Sequence, residues 1–317
     1  MSESAAPPYF TAGNIDDLMR AAIGAVLNDG ERIQPSRGPA RELTGVTLEL
    51  TDPAARLSRT ESRGKPFSCL GELCWYLSKS NDVDFISYYI RDYREDEEDG
   101  VLFGAYGPRL FNWRGLDQVN TVTDILRGKR DSRQAVIQLF EPNDITAPHK
   151  DVPCTCTLQF MNRQGRLDLI TYMRSNDAFL GLPHDVFSFT MLQEIVARSL
   201  SVDLGTYKHI VGSFHLYDRH VPKAEEFLGE GWQSTDSAMP LMPLGDPWPA
   251  ISSLLELEPL IRAGDSALLS VDPYWADLVR LLQIFRASQD GARDRMIELN
   301  RSMSSDAFAP FVASRIS

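Results

Sequence analysis

Two short stretches hold most of the residues that could do chemistry. Val152-Pro-Cys154-Thr-Cys156 carries two thiols, and it is followed by Arg174-Ser175-Asn-Asp177-Ala-Phe-Leu-Gly181-Leu-Pro-His184-Asp185. An ionised cysteine is a strong nucleophile, and a neighbouring arginine lowers its pKa. Arg174 and Ser175 offer a guanidinium and a hydroxyl to a phosphate, the arginine in bidentate fashion. A thiol, an anion site and nearby polar groups are the parts of a covalent nucleotide enzyme. Spacing does not choose between Cys154 and Cys156. In an extended strand both face one side, and a free cysteine is most often a small core residue.

Three more side chains stand out. Glu72 is a lone acid in the apolar run Leu70–Leu77, and a buried carboxylate is costly without a partner or a task. His215 and Tyr217 alternate along a strand-like segment. They therefore share a face, and both can hydrogen-bond a sugar hydroxyl.

The elements that must position these groups follow from periodicity. Apolar spacing predicts helices over 14–28, 70–77, 119–126 and 187–200. Strands are expected over 43–50, 134–139, 155–161, 166–173 and 209–217, with a turn at Asn162-Arg-Gln-Gly165. Residues 91–100 read as a solvated acidic loop and 233–250 as a loop, with helices near 250–262 and 274–302. Strands and helices in mixed order give an α+β chain rather than a βαβ series.

Composition narrows the classes. The 317 residues carry a net charge of -12, which argues against unspecific binding to a nucleic-acid polymer. A phosphate site must then be a local arginine cluster. Cys69, Cys74, Cys154 and Cys156 form no zinc spacing, and no metal is expected. Free thiols fit a reducing cytosol, and a cytoplasmic location is the expectation. The amino terminus lacks the basic start and apolar core of a signal peptide, and no apolar run approaches the ~18 residues of a membrane span.

These residues resemble the signature segments of the thymidylate synthase family. The resemblance rests on Pro153-Cys154, Arg174-Ser175-x-Asp177-x-x-Leu180-Gly181-Leu182-Pro183 and His215-x-Tyr217-x-x-His220. Gly71-Glu72-Leu-Cys-Trp75-Tyr-Leu77, Tyr106-Gly107 and Asp131-Ser132-Arg133 fit the same order upstream. The match runs roughly from Arg37 to His220, and the remainder matches poorly. The resemblance implies a mixed sheet packed by helices, with a sheet face forming a homodimer interface. It implies a catalytic core over 1–232 and a divergent helical part of the same domain over 233–317.

It also implies roles. Cys154, not Cys156, is the nucleophile, with Glu72 and Tyr106 as the other catalytic residues. Glu72 moves protons through ordered water around the pyrimidine 4-position. Arg37, Arg174, Ser175 and, from the partner subunit, Arg133 hold the phosphate. A second arginine of the family is Gln134 here. His215 and Tyr217 bind the sugar, while Asp177 and Gly181 contact the folate. The cosubstrate is 5,10-methylenetetrahydrofolate.

Two departures bear on the reaction. The family's thymidylate synthases carry Pro-Phe-Asn where this chain has Pro183-His184-Asp185. An amide matches the N3–H donor and O4 acceptor of uracil. A carboxyl group can accept from the N4 amino group of cytosine, and a proton on it or on N3 completes the pair. The same replacement marks the deoxycytidylate hydroxymethylases of this fold. Residues 76–105 also contain no tryptophan, whereas the family's tryptophans there shield an exocyclic methylene intermediate. A wetter site should let water capture that methylene, giving a hydroxymethyl product.

The expected activity is thus 5-hydroxymethylation of a cytidine monophosphate. Arginine far outnumbers lysine, which suggests a GC-rich bacterial genome and favours CMP over dCMP. Related bacterial enzymes make hydroxymethyl-CMP for nucleoside antibiotics. The alternatives are a thymidylate synthase methylating dUMP and a non-catalytic nucleotide-binding relative.

Overall fold

The computed structural model describes residues 8–60, 65–231, 238–265 and 272–316. At its centre lies β7 (Asp203–Tyr217), antiparallel to β3 (Ala40–Leu50) and parallel to β6 (Arg166–Asp177). Beyond β6 come β5 (Thr155–Arg163) and the short β4 (Val136–Gln138), both antiparallel to their neighbours. On the other side β1 (Tyr9–Ala12) runs parallel to β3, and β2 (Glu31–Ile33) pairs with the start of β3. β5 and β6 are joined through Gln164-Gly165, both at positive φ (54° and 78°), the primed turn that suits the right-handed twist of a hairpin.

The ladder brings one end of the sheet together. Arg174 N–H donates to Cys154 O at 2.8 Å. Asp177 stands opposite His215, and Tyr217 opposite Ala40. The start of β5, the ends of β6 and β7 and the start of β3 thus converge.

Parallel pairing of β6 with β7 needs a crossover, which α6 (Gly181–Ser199) supplies. This helix is apolar nearly all round, and Val186, Phe187, Phe189, Leu192, Ile195 and Val196 are buried, as expected for a helix enclosed on every side. Gln193, itself buried, donates from Nε2 to Leu167 O (2.8 Å) and Thr206 O (3.1 Å), pinning α6 to the two strands it connects.

Around this frame sit α1 (Ile15–Asp29), capped by Asn14, and α2 (Pro66–Leu77), which carries Glu72. Next come α3 (Val83–Tyr89), α4 (Tyr106–Phe111), α5 (Gln118–Gly128) and α7 (Val221–Gly229). The chain closes with α8 (Trp248–Ala263), α9 (Pro273–Gln289), α10 (Arg293–Arg301) and α11 (Ala309–Ile316). Leu254, Leu278 and Leu282 of this last group belong to the same hydrophobic core as the sheet. No described helix is long and apolar enough to cross a membrane, and the described residues hold no group of three metal-ligating side chains.

Three expectations change. The helix expected over 274–302 is two, α9 and α10. The backbone turns at Asp290-Gly291, and Ala292 N–H bonds back to Ala287 O. The acidic stretch over 91–100 is not simply loop: Arg91–Asp96 winds into a 3₁₀ helix that turns Tyr93 inward. The strand over 134–139 is only Val136–Gln138. Residues 232–237 of the expected loop lie outside the described residues. Its remainder is irregular until α8 begins at Trp248.

Candidate active site

Cys154 lies in a bend just before β5, half-buried. A bulge at the start of β5, between Thr155 and Thr157, interrupts the two-residue alternation between the thiols. A common face for Cys154 and Cys156 therefore does not follow from spacing. Burial is the main influence on the Cys154 thiol. Arg174 and Arg37 pull its pKa down, Asp151 and Asp185 push it up, and the balance is about 11. Arg174 donates from Nε to Pro153 O (2.9 Å) and from Nη2 to Val152 O (2.8 Å), bracing the Cys154 bend. The Thr155 N–H and hydroxyl both donate to Tyr106 Oη, at 3.1 and 3.0 Å. With these bonds accepted, the Tyr106 proton is left to donate beside the thiol. Burial, with Cys154 and Asp185, keeps this tyrosine protonated well past the usual phenol range.

Glu72 is buried on α2, and its two oxygens have separate partners. Tyr93 donates to Oε1 at 2.5 Å, and His184 Nδ1 lies 3.0 Å from Oε2. Burial works against the charge, but His184 and Tyr93 outweigh it and hold Glu72 below the ordinary carboxylate range. Burial likewise opposes the His184 cation. The adjoining Cys69 and Glu72 overcome it and raise the ring to about 10. The site thus contains an ion pair, His184⁺–Glu72⁻, at neutral pH.

Asp185, one residue on, behaves oppositely. Burial, reinforced by the charge of Glu72, raises it to about 8 against the opposing pull of His184 and Asn176. It is a neutral acid at pH 7. Asn176 Nδ2 donates to its Oδ2 at 2.7 Å. Gly181, at the first turn of α6, permits this approach. A Cβ there would stand 3.0 Å from Asn176 Nδ2 and 3.5 Å from Asp185 Oδ2.

The remaining candidates frame the same ground. Ser175 Oγ lies 3.5 Å from His215 Nδ1, and the rings of His215 and Tyr217 stand edge to face at 4.8 Å. Asp177 accepts from Phe179 N–H (2.8 Å) and Leu180 N–H (2.7 Å), and His220 Nδ1 is 3.6 Å from its Oδ2. Burial opposes ionisation, but His220 and the two amides hold Asp177 ionised, below its usual value. Arg37 pairs with Asp96 at 2.6 Å and acts electrostatically on both Tyr217 and Cys154. Arg133 stands apart. It is exposed on the segment entering β4, two strands from β6. Among the described residues its side chain meets none of the other candidates.

A thiol, a Glu72–His184 pair, a half-buried carboxyl with a raised pKa and arginines converge at one end of a mixed sheet. The model of the thymidylate synthase family matches residues 53–244, more than half of the chain. The chain belongs to the thymidylate synthase family. Every candidate except Arg37 lies within that match. Among curated proteins, the deoxyuridylate hydroxymethyltransferase of Bacillus phage SP01 is 31% identical over 223 residues, covering 66% of this chain and 58% of that protein. The enzyme of the same name from Pseudomonas phage M6 is 32% identical over 219 residues, covering 66% of this chain and 62% of that protein. The chain thus aligns with about three fifths of each relative's length.

Sequence reasoning missed several residues of this family member's site. Tyr93 was hidden in an acidic run, and its only signal was an aromatic among charges. His184 was visible only as the residue replacing phenylalanine, and nothing in the sequence placed it against Glu72. Asn176, His209 and Asp151 gave no signal. Asp151 is raised mainly by burial and lies close enough to act on both Cys154 and Arg37.

Proposed function

We propose that this protein is a pyrimidine nucleoside monophosphate 5-hydroxymethyltransferase, with a cytidine monophosphate as substrate and CMP favoured over dCMP. The observation that carries the base reading is Asp185, a half-buried carboxyl that takes Asn176 Nδ2 on one oxygen at 2.7 Å and whose pKa is pushed up to about 8. As a carboxylic acid it can donate to N3 of cytosine and accept from the N4 amino group.

Arg174, Ser175 and Arg37 hold the phosphate, completed by Arg133 of a second copy in a homodimer. His215 and Tyr217 take the sugar. Cys154 adds as thiolate to C6, moving an electron pair toward C5. Its pKa near 11 leaves little thiolate at neutral pH, so the thiol proton passes to water as the sulfur adds, while Arg174 and Arg37 favour the thiolate and Tyr106 donates a hydrogen bond beside it. Glu72, ionised beside His184, moves protons through water around the pyrimidine 4-position. Bound methylenetetrahydrofolate supplies the one-carbon unit. Asp177, ionised and with Oδ2 turned away from the backbone amides, suits an N–H-bearing pterin ring, and Gly181 lies next to it. Tyr93, a polar aromatic on Glu72, stands in a segment that lacks tryptophan. C5 bonds to the one-carbon unit, with tetrahydrofolate as the leaving group and the C5 proton lost to water; the polarity around Tyr93 supports capture of the resulting methylene by water, after which Cys154 leaves. The helices α8 to α11 form a divergent part of the same domain as the catalytic core.

A second reading has a specific observation behind it. Both curated relatives are named for deoxyuridylate, and a neutral acid can also match uracil if its other oxygen carries the proton. The test is incubation with CMP, dCMP and dUMP plus methylenetetrahydrofolate, with products weighed by mass spectrometry. A hydroxymethyl product from a cytidine nucleotide supports the first reading, and one from dUMP alone supports the second. Asp185→Asn should move kcat/KM from cytosine toward uracil by on the order of 10²-fold or more. An unchanged ratio removes Asp185 from base reading.

A further inference from the structure

A buried line of hydrogen bonds reaches Asp185 from behind, and the chemistry above uses none of it. His209 is fully buried on β7, with Nδ1 2.7 Å from Tyr207 Oη and Nε2 3.1 Å from Asn176 Oδ1. Asn176 Nδ2 in turn lies 2.7 Å from Asp185 Oδ2. Burial lowers His209 to about 3, so the ring is neutral and carries one N–H. Tyr207 is buried and holds its proton. Asp185 is half-buried, and its Oδ1 has no partner among the described residues.

The direction of the line follows from what Asp185 needs. When ionised it can only accept, so Asn176 must present its N–H. The amide oxygen then faces His209, which must donate from Nε2, and Nδ1 accepts from Tyr207. The reverse direction would require Asp185 to donate and would fail once it ionised. Only the order Tyr207 to His209 to Asn176 to Asp185 serves both protonation states.

We infer that Tyr207, His209 and Asn176 form a one-way relay that reserves Asp185 Oδ2 as an acceptor, keeps the acid's proton on Oδ1, and thereby determines which pyrimidine the site accepts. A carboxylic acid alone does not decide the base. It suits cytosine when the oxygen facing N3 carries the proton, and uracil when the oxygen facing the 4-position does. With Oδ1 directed at N3, the relay leaves Oδ1–H to donate there, while Oδ2 takes Asn176 on one lone pair and the N4 amino group on the other. These are positioning residues, since none touches the substrate, and the inference rests on the pyrimidine-nucleotide reading of the site.

The test uses the full chain carrying Cys154→Ser, with CMP and dUMP affinities measured by calorimetry. Asn176→Ala and His209→Phe should each shrink the CMP-to-dUMP affinity ratio by about tenfold or more, the scale of one buried hydrogen bond to an acid. Tyr207→Phe, which removes one hydroxyl and little bulk, should shrink it less but in the same sense. Equal weakening of both nucleotides, with the ratio kept, overturns the relay. If neither nucleotide binds the parent, the nucleotide reading has failed, and the relay is read without ligand. The infrared carbonyl band that Asp185→Asn abolishes should move to higher frequency in Asn176→Ala at mildly acidic pH, because the bare carbonyl oxygen loses its donor. An unmoved band overturns the inference.

Discussion

Raising the pH through 8 should loosen the hold on a cytosine nucleotide. Asp185 has a pKa of about 8, set by burial and by Glu72. Its neutral form donates to N3 and accepts from N4, whereas the carboxylate sets a lone pair against the N3 lone pair. The binding form is the protonated one, so affinity is full well below pH 8 and lost above it. The neutral fraction is about 0.9 at about pH 7 and about 0.03 at about pH 9.5, which predicts about 30-fold weaker binding, or about 2 kcal/mol. Calorimetric titration of CMP into the Cys154→Ser variant measures this free of the thiol, whose own pKa is about 11. The base of CMP gains or loses no proton in that window, and its phosphate, with a second pKa of about 6, sheds only the last tenth or so of its proton. The same variant carrying Asp185→Asn in addition should show no such loss. A flat profile with Asp185 present, or the same slope with asparagine, would refute the assignment of the neutral acid to N3.

Three other outcomes are expected. Cys154→Ser should abolish turnover while leaving nucleotide binding, and Cys156→Ser should leave turnover largely intact; product assays and calorimetry on both variants check this. Arg133→Ala and Cys154→Ser, each inactive alone, should recover activity after verified subunit exchange, because a mixed dimer holds one site with both defects and one with neither; persistent inactivity would count against a shared phosphate site. His184→Phe removes the partner of a buried carboxylate, so Glu72 should shift upward, turnover should fall about 10²-fold at neutral pH and the acidic limb of the kcat profile should move to higher pH. The intact pair also stabilises the fold. His184 is raised from about 6.5 to about 10, so its contribution is complete below about pH 6.5 and lost as the pH rises through about 10. Thermal midpoints of wild type and variant should therefore converge at alkaline pH.

The sequence by itself determined the kind of fold and named candidates for the site. Cys154, Arg174, Ser175 and Asp177 stood out because they match the family's signature segments, whereas spacing alone did not choose Cys154 over Cys156; the β5–β6 ladder then brings Arg174 against Cys154. The strands β3, β5, β6 and β7 and the helices α1, α2 and α6 were legible because each buries one face or all faces, and burial writes its period into the chain. Glu72 was legible as a lone acid in an apolar run and Asp185 as the residue replacing the family's asparagine, but their charge states were not. One is held ionised because His184 lies 3.0 Å from it, while the other is pushed up because burial and the Glu72 charge outweigh the more distant His184 and the Asn176 amide. That difference depends on where α2 and α6 meet, across more than a hundred residues of chain. The inward turn of Tyr93 and the line from Tyr207 to Asn176 likewise exist only once separate elements pack together. Periodicity records which faces are buried; the partner each buried polar group finds, and hence its charge, is set by tertiary contact.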